Sequence, residues 1–440
     1  MTTDGINLRH LAFEVLLAVE KEEEYSHIAL SGVLGKHQYL AKSERAFLTR
    51  LCEGTLERQL ELDEIIGRFS SVKINKLKPA IRCILRMGVY QIKYMDTVPD
   101  SAACNEAVKL AAKKGFGNLK GFVNGVLRSV CRNPDVLGRP GEDGDSLEAW
   151  AVRCSVPVWI LRQWSADYGS QKAKSVAGAF LREARTAIRT NRMRASAGEL
   201  KQELEQDGMT AEPVCLPEFP DFDYAMYLSG YDYLSAVPAF LEGKFTVQDV
   251  SSMLAAHIAA PKPGDYVIDV CAAPGSKSLH AAELMQGKGL VEARDLTGYK
   301  VRLIEENISR CGLDNVRAVQ KDARIADGAD AKKADVVFAD LPCSGLGVLR
   351  KKPEIRYRMT PEKERALSLL QREILTAACL CVKPGGVLLY STCTINRMEN
   401  EENTKWFLQQ NPSFQCVFER QFFPDEGDMD GFYIAKLIRT

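Results

Sequence analysis

From Phe245 onward the chain alternates with a regularity that few folds can use. Helix SSMLAAHIAA is followed by strand YVIDV, a helix, strand GLVEARD, helix VRLIEENISRCG, strands VRAVQKDA and ADVVFAD, a long helix over about 361–382, and strand GGVLLYST. Strands separated by helix-length segments read as crossovers, and this predicts a doubly wound, mostly parallel α/β sheet of the Rossmann-like kind over residues 241–440. Ligands of such sheets bind beyond the carboxyl ends of the strands, so the residues that close each strand are where chemistry is expected.

The rest of the chain reads differently. Residues 1–133 show helical periodicity only: Leu8, Leu11, Val15 and Val19 form one stripe, and Ile81, Ile84, Leu85, Gly88 and Ile92 another. Pro79 precedes the second stripe, where a first helical turn tolerates proline. Residues 134–149 combine proline, glycine and acids without periodicity and read as a linker. Over 150–240 a basic, strand-like TAIRTNRMR (186–194) precedes helical SAGELKQELEQDG, which suggests a small α+β unit.

Lys plus Arg balances Asp plus Glu at 58 each, but the distribution is uneven. Residues 68–132 carry 13 basic against 3 acidic side chains, and residues 1–67 carry 7 against 12. A basic face in the helical domain is therefore expected to attract phosphates. That region holds no acid–thiol constellation, so affinity rather than chemistry is expected of it. Residues 188–194 and LRKKPEIRYR (349–358) are the other cationic candidates. No apolar run approaches the roughly 20 residues of a membrane span. The opening MTTDGINLRH has no apolar signal region, and a reducing cytoplasm is expected.

The strand ends supply a coherent set. After YVIDV comes a tight loop of small residues, Cys271, Ala272, Ala273, Pro274, Gly275 and Ser276, with Lys277 adding a cation. The loop opens a helix whose N–H groups can meet a carboxylate. It is neither GxGxxG nor GxxxxGK[ST], so a dinucleotide or a triphosphate fits less well. The next strand ends at Asp295, about 20 residues beyond the loop, the position for ribose hydroxyls. The third leads to Asp322, placed for an adenine edge, and the set suits S-adenosylmethionine.

Strands four and five bring Asp340, Cys343 and Cys393 to the same edge. Thirteen cysteines, an odd number, argue against a disulfide framework, and the absence of a CxxC pair or an HxxxH spacing argues against zinc. Carbon C5 of a pyrimidine is a methyl acceptor that does need a thiol. A thiolate added to C6 turns the ring into an enamine, a carboxyl supports N3, and a second thiol can assist release.

The strings DVCAAPGSKS, DLPCSGLG and YSTCTINRMEN resemble the RNA cytosine-C5 methyltransferases of the Nol1/Nop2/Sun class. The whole chain resembles the bacterial Sun (Fmu) type, which modifies 16S ribosomal RNA. The resemblance implies Cys393 as nucleophile, Cys343 in release and Asp340 at N3 of the flipped base. It also implies Cys271 to Lys277, Asp295, Lys300, Asp322 and Asp340 as cofactor positions, and Pro342, Glu399 and Asn400 as braces. Ser276 departs from the pattern where a second glycine is common, and Met398 where a second acid is.

RHLAFEVL, LCEGTLER, LKPAIRCILRMGVYQI and GFVNGVLR are similar to NusB, a helical RNA-binding fold, and 150–240 to the small RNA-binding subdomain of the class. The expected partner is 16S ribosomal RNA, naked or partly assembled, acted on by a monomer with no metal and no membrane. The competing readings are a NusB-type RNA-binding protein with an inactive methyltransferase fold, a Rossmann-type oxidoreductase, and a DNA cytosine methyltransferase.

Overall fold

The computed structural model describes residues 7–22, 24–138, 144–326 and 328–440. Two compact units emerge, one built from residues up to 183 together with 349–358, the other from 184–348 and 359–440. Residues 139–143 of the expected linker lie outside the described residues. On either side of them, Pro134–Gly138 is a short helix and Ser146 caps helix Leu147–Arg153.

The first unit is helical: Leu8–Lys21, Ser26–Lys36, Lys42–Glu57, Gln59–Phe69, Pro79–Tyr94, Asp100–Lys113 and Lys120–Arg132 are its longer early helices. The stripes read from the sequence form its core, with Leu11, Val15, Val19, Ile81, Ile84 and Leu85 buried. A Cβ on Gly88 would lie 2.7 Å from a Leu127 methyl, so a larger residue there would push that side chain out of the contact between helices Pro79–Tyr94 and Lys120–Arg132. Leu147–Arg153, Val158–Tyr168 and Ser170–Ala179 belong to the same compact unit.

Part of the charge asymmetry is consumed inside this unit. Arg82 pairs with Glu20, Arg86 with Asp63 at 2.7 Å, Lys93 with Glu61 and Lys114 with Glu14 at 3.0 Å. Lys73, Lys76, Lys78, Lys113, Lys120, Arg128 and Arg132 stay exposed.

The second unit opens with a small antiparallel sheet of β1 (Thr186–Thr190), β2 (Thr210–Pro213), β3 (Ala225–Ser229) and β4 (Phe245–Val247), in the order β2-β3-β1-β4. Its last strand lies beyond the boundary expected at 240. The large sheet contains β5 (Tyr266–Asp269), β6 (Leu290–Asp295), β7 (Val316–Gln320), β8 (Ala334–Asp340), β9 (Val382–Thr392), β10 (Phe414–Phe422) and β11 (Phe432–Arg439). Their order is β10-β11-β9-β8-β5-β6-β7; β5 to β9 run parallel, and β11 and β10 add an antiparallel edge that the sequence reading did not include. Ile268, Val337 and Leu388 pack on one face, Val267, Phe338 and Leu389 on the other, as a sheet buried on both sides requires. The strand order reverses between β6 and β8, on either side of β5.

The two further cationic strings are partly structural, while Arg192, Arg194 and Lys351 stay exposed. In 188–194, Arg189 is fully buried and donates to Glu283 at 2.8 and 3.0 Å, and Arg194 donates to the Cys311 carbonyl at 3.2 Å. In 349–358, Arg356 is buried and Arg358 donates to backbone carbonyls. A buried guanidinium needs its partners within the fold and is not available to a phosphate. Among the described residues no helix is long and apolar enough to cross a membrane, and no cluster of His, Cys, Asp or Glu could hold a metal ion.

Candidate active site at the strand ends

The loop after β5 turns through Gly275, at φ +105°, into helix Ser276–Leu284. Asp295, at the end of β6, ties down this loop. Its buried carboxylate accepts the Ala273 N–H at 3.0 Å and the Leu296 N–H at 2.8 Å, with Lys300 Nζ 3.1 Å away. A carboxylate offers about four acceptor sites. Lys300 is half exposed, and when it swings out two sites are open, the number a ribose diol needs. Asp322 follows β7; its carboxyl accepts the Arg324 side chain and N–H, which hold its pKa at about 2. It borders a cleft lined by Val270, Ile325, Ala326 and Ala378 together with the charged Arg294 and Lys321. The donor set of the loop and Asp295 fits S-adenosylmethionine.

Two residues the sequence reading passed over support the loop from below. Asp269 closes β5 and accepts the Ser278 hydroxyl at 2.6 Å; burial pushes its pKa up to about 7. Both sit inside the quoted motif, so an acid closing a buried strand was the available signal.

Asp340 ends β8, a quarter exposed. Its Oδ2 accepts from Lys277 Nζ at 2.7 Å and its Oδ1 from the Ser391 hydroxyl at 2.8 Å. Burial alone would depress the Lys277 ammonium, but Asp340, Asp269 and Cys393 outweigh it and its pKa is raised. Three residues beyond Asp340, Cys343 Sγ lies 3.2 Å from Cys393 Sγ, which follows β9 directly. The hydrogen bond to Cys393 and burial push the Cys343 thiol well up, and either sulfur can donate in the pair. Cys271 is a different case: burial first, then Asp269, Asp295 and Asp340, push its thiol up, which leaves it a poor nucleophile.

The expected braces hold both thiol loops. Glu399 is buried and accepts the Ser344 N–H at 2.9 Å, the Ser344 hydroxyl, Gln371 Nε2 at 2.9 Å and Asn396 Nδ2 at 3.1 Å. Gln371 also donates to the Pro342 carbonyl at 2.9 Å, so the residues flanking Cys343 on both sides are fixed. Asn400 accepts from the Thr392 hydroxyl at 2.5 Å and donates to the Thr394 carbonyl at 3.1 Å, clamping the residues on either side of Cys393. Ser344 sits inside the quoted DLPCSGLG, whereas Gln371 had no sequence signal, because its role depends on a contact between separate elements.

A Rossmann-like sheet with a small-residue loop after its first strand and acids closing the next ones defines an S-adenosylmethionine-dependent methyltransferase. Comparison with known proteins narrows this. The family described as 16S rRNA methyltransferase RsmB/F matches residues 256–438, the NusB family residues 6–132, and the RsmF/B-like ferredoxin-like domain residues 156–219. The Bacillus subtilis protein named "Probable ribosomal RNA small subunit methyltransferase B" is 37% identical over 93% of this chain and 90% of its own length. Ribosomal RNA small subunit methyltransferase B of Cronobacter sakazakii is 31% identical over 99% of both chains. The crystal structure of PH0851 superposes with a TM-score of 0.82 at 28% identity, covering 98% of this chain and 99% of that one. NSun6 from Pyrococcus horikoshii, solved with SFG, gives 0.55 at 25% identity over 64% of this chain and 97% of its own. The chain belongs to the RsmB/F family of 16S rRNA methyltransferases.

Proposed function

We propose that this chain methylates C5 of a cytosine in 16S ribosomal RNA through a covalent adduct between Cys393 and C6 of the base. Bound S-adenosylmethionine supplies an electrophilic methyl group on a sulfonium; Cys271 to Lys277, Asp295, Lys300, Asp322 and Asp340 are the residues to hold it. Cys393 adds as thiolate to C6, the C5–C6 electron pair moves into the ring, and Asp340, beside the Lys277 ammonium, supports protonation of N3. Once C5 carries the methyl group, its proton leaves to a base and the C5–H electrons restore the double bond. The C6–S pair then returns to Cys393, where the Cys343 S–H stabilises the departing sulfur.

The observation that carries this reading is the thiol pair, 3.2 Å apart, beside a carboxylate at the end of the neighbouring strand. Oxygen or nitrogen acceptors need at most a base, and no such pair. The RNA is reached by extruding the base from its stack, and the protein works as a monomer in the cytoplasm. The test is one denaturing gel with labelled RNA. Cys393→Ala should give neither product nor adduct, and Cys343→Ala should accumulate a covalent protein–RNA species. Activity retained by both alanine variants would make the thiols mere packing, and an adduct in Cys393→Ala instead would exchange their roles.

A further inference from the structure

Arg189 is a fully buried cation with no part in the methyl transfer. Its backbone lies in β1, paired with Ala225 of β3 on one side and Thr246 of β4 on the other, so the side chain leaves a fixed base. The guanidinium spends its donors on helix Ser276–Leu284, in the same compact unit. Nε and Nη2 reach the two Glu283 oxygens at 3.0 and 2.8 Å, and Nη1 reaches the Ser276 carbonyl at 3.0 Å. Gln248 Oε1 accepts from the same Nη1, while its Nε2 donates to Ser252 Oγ at 3.1 Å and so holds the amide in place.

An ion pair would need Glu283 alone. The bond to Ser276 matters because of where that carbonyl lies. Ser276 opens the helix directly after Gly275, and the Leu279 N–H, bonded to the Gly275 carbonyl at 2.8 Å, begins the helical ladder. The N–H groups before it, that of Lys277 included, have no partner within the helix and point out of its N-terminus. The Ser276 carbonyl and the Lys277 N–H are the two ends of one planar, trans peptide unit and point in opposite directions. A guanidinium on the oxygen therefore fixes the direction of this N–H and, by polarising the peptide, makes it a stronger donor. The preceding loop is held independently, since Asn307 Nδ2 donates to the Pro274 carbonyl at 3.0 Å and Asp295 accepts the Ala273 N–H at 3.0 Å.

We propose that Arg189 is a positioning residue for the carboxylate of S-adenosylmethionine: from β1 it orients and polarises the Ser276–Lys277 peptide, whose N–H receives that carboxylate. The inference rests on the assignment of the Cys271–Lys277 loop to the cofactor. It divides the cofactor between two supports, Asp295 for the ribose and this peptide for the amino-acid end, and it gives the small sheet a part in cofactor binding.

The test is isothermal titration of the full-length chain with two ligands, S-adenosylhomocysteine, which carries the carboxylate, and 5′-methylthioadenosine, which has the same nucleoside without the amino-acid end. Arg189→Met should weaken the first about fivefold and leave the second within about twofold of wild type. Arg189→Met combined with Glu283→Leu removes the whole buried pair and regains most of the lost stability, yet S-adenosylhomocysteine should stay weakened by the same factor. The double variant carries the test if Arg189→Met does not fold. Arg189→Lys, whose single ammonium can keep Glu283 but not the full fork of bonds, should show the same selective loss. Affinity that is unchanged in these variants, that recovers together with stability in the double variant, or that falls equally for both ligands makes Arg189 a packing residue and overturns the inference. Failure of the wild-type chain to bind either ligand overturns the assignment of the loop on which it rests.

Discussion

Asp269→Asn isolates the cost of an acid placed at the foot of the cofactor loop. Burial raises the Asp269 pKa from 3.8 to about 7, with the Ser278 hydroxyl partly compensating and Asp340 adding repulsion. With a raised folded-state pKa, the contribution of the neutral acid to stability is fully present below the unfolded value and is lost as pH rises through the folded one. At 1.4 kcal/mol per pH unit, the wild-type carboxyl costs the fold about 2 kcal/mol near pH 5.5 and about 4 kcal/mol near pH 8.5. Asparagine has nearly the same shape, still accepts from Ser278 Oγ, and never ionises. The stabilisation of Asp269→Asn over wild type should therefore grow by about 2 kcal/mol between those two pH values.

Native-state hydrogen exchange of the β5 amides measures this for the unit that carries Asp269, without assuming that both units unfold together. A difference between variant and wild type that is independent of pH, or that shrinks as pH rises, would refute the placement of a neutral acid at this position.

Three further outcomes follow from the site and its supports. Asp295→Ala removes charge-assisted hydrogen bonds worth about 1.5–3 kcal/mol each, so cofactor affinity should fall at least tenfold in a titration while RNA affinity holds. Glu399→Ala leaves four buried donors without their acceptor; it should cost about 3–5 kcal/mol by denaturant unfolding and abolish methylation, since the residues on both sides of Cys343 are released. Arg189→Met strands Glu283, whose carboxyl burial already pushes up, and should destabilise the second unit by about 3–5 kcal/mol, with Glu283→Leu in the same chain recovering most of the loss.

Much of this fold was legible because its signals are local. Helical stripes such as Leu11–Val15–Val19 and runs such as YVIDV state their own periodicity, and parallel strands must end at one edge, so the acids closing them were read as a site. What escaped was relational. Of the basic residues counted over 68–132, Arg82, Arg86 and Lys93 find their carboxylates in residues 20–63 and are cancelled by folding, while Lys73, Lys76, Lys78, Lys113, Lys120, Arg128 and Arg132 stay exposed. Arg189 and Arg356 read as phosphate contacts because the sequence carries charge and not burial. Gln371 bears no motif, and its importance exists only where one side chain meets both the Pro342 carbonyl and Glu399.

The thiol pair itself depends on strand direction more than on either cysteine motif. β8 and β9 are neighbours in the sheet and run parallel, and their register sets Asp340 opposite Ser391. Cys343 lies three residues past one member of that pair and Cys393 two past the other, so both loops leave the sheet at the same level and the sulfurs can meet. Antiparallel pairing of the same strands would carry the two loops to opposite ends of β8, about 20 Å apart at 3.3 Å per residue. A parallel pair needs a long crossover, and here the crossover contains helix Pro361–Ala378, which supplies Gln371 to the Pro342 carbonyl and Glu399. The connection that brings the thiols together therefore also carries a group that keeps Cys343 in place.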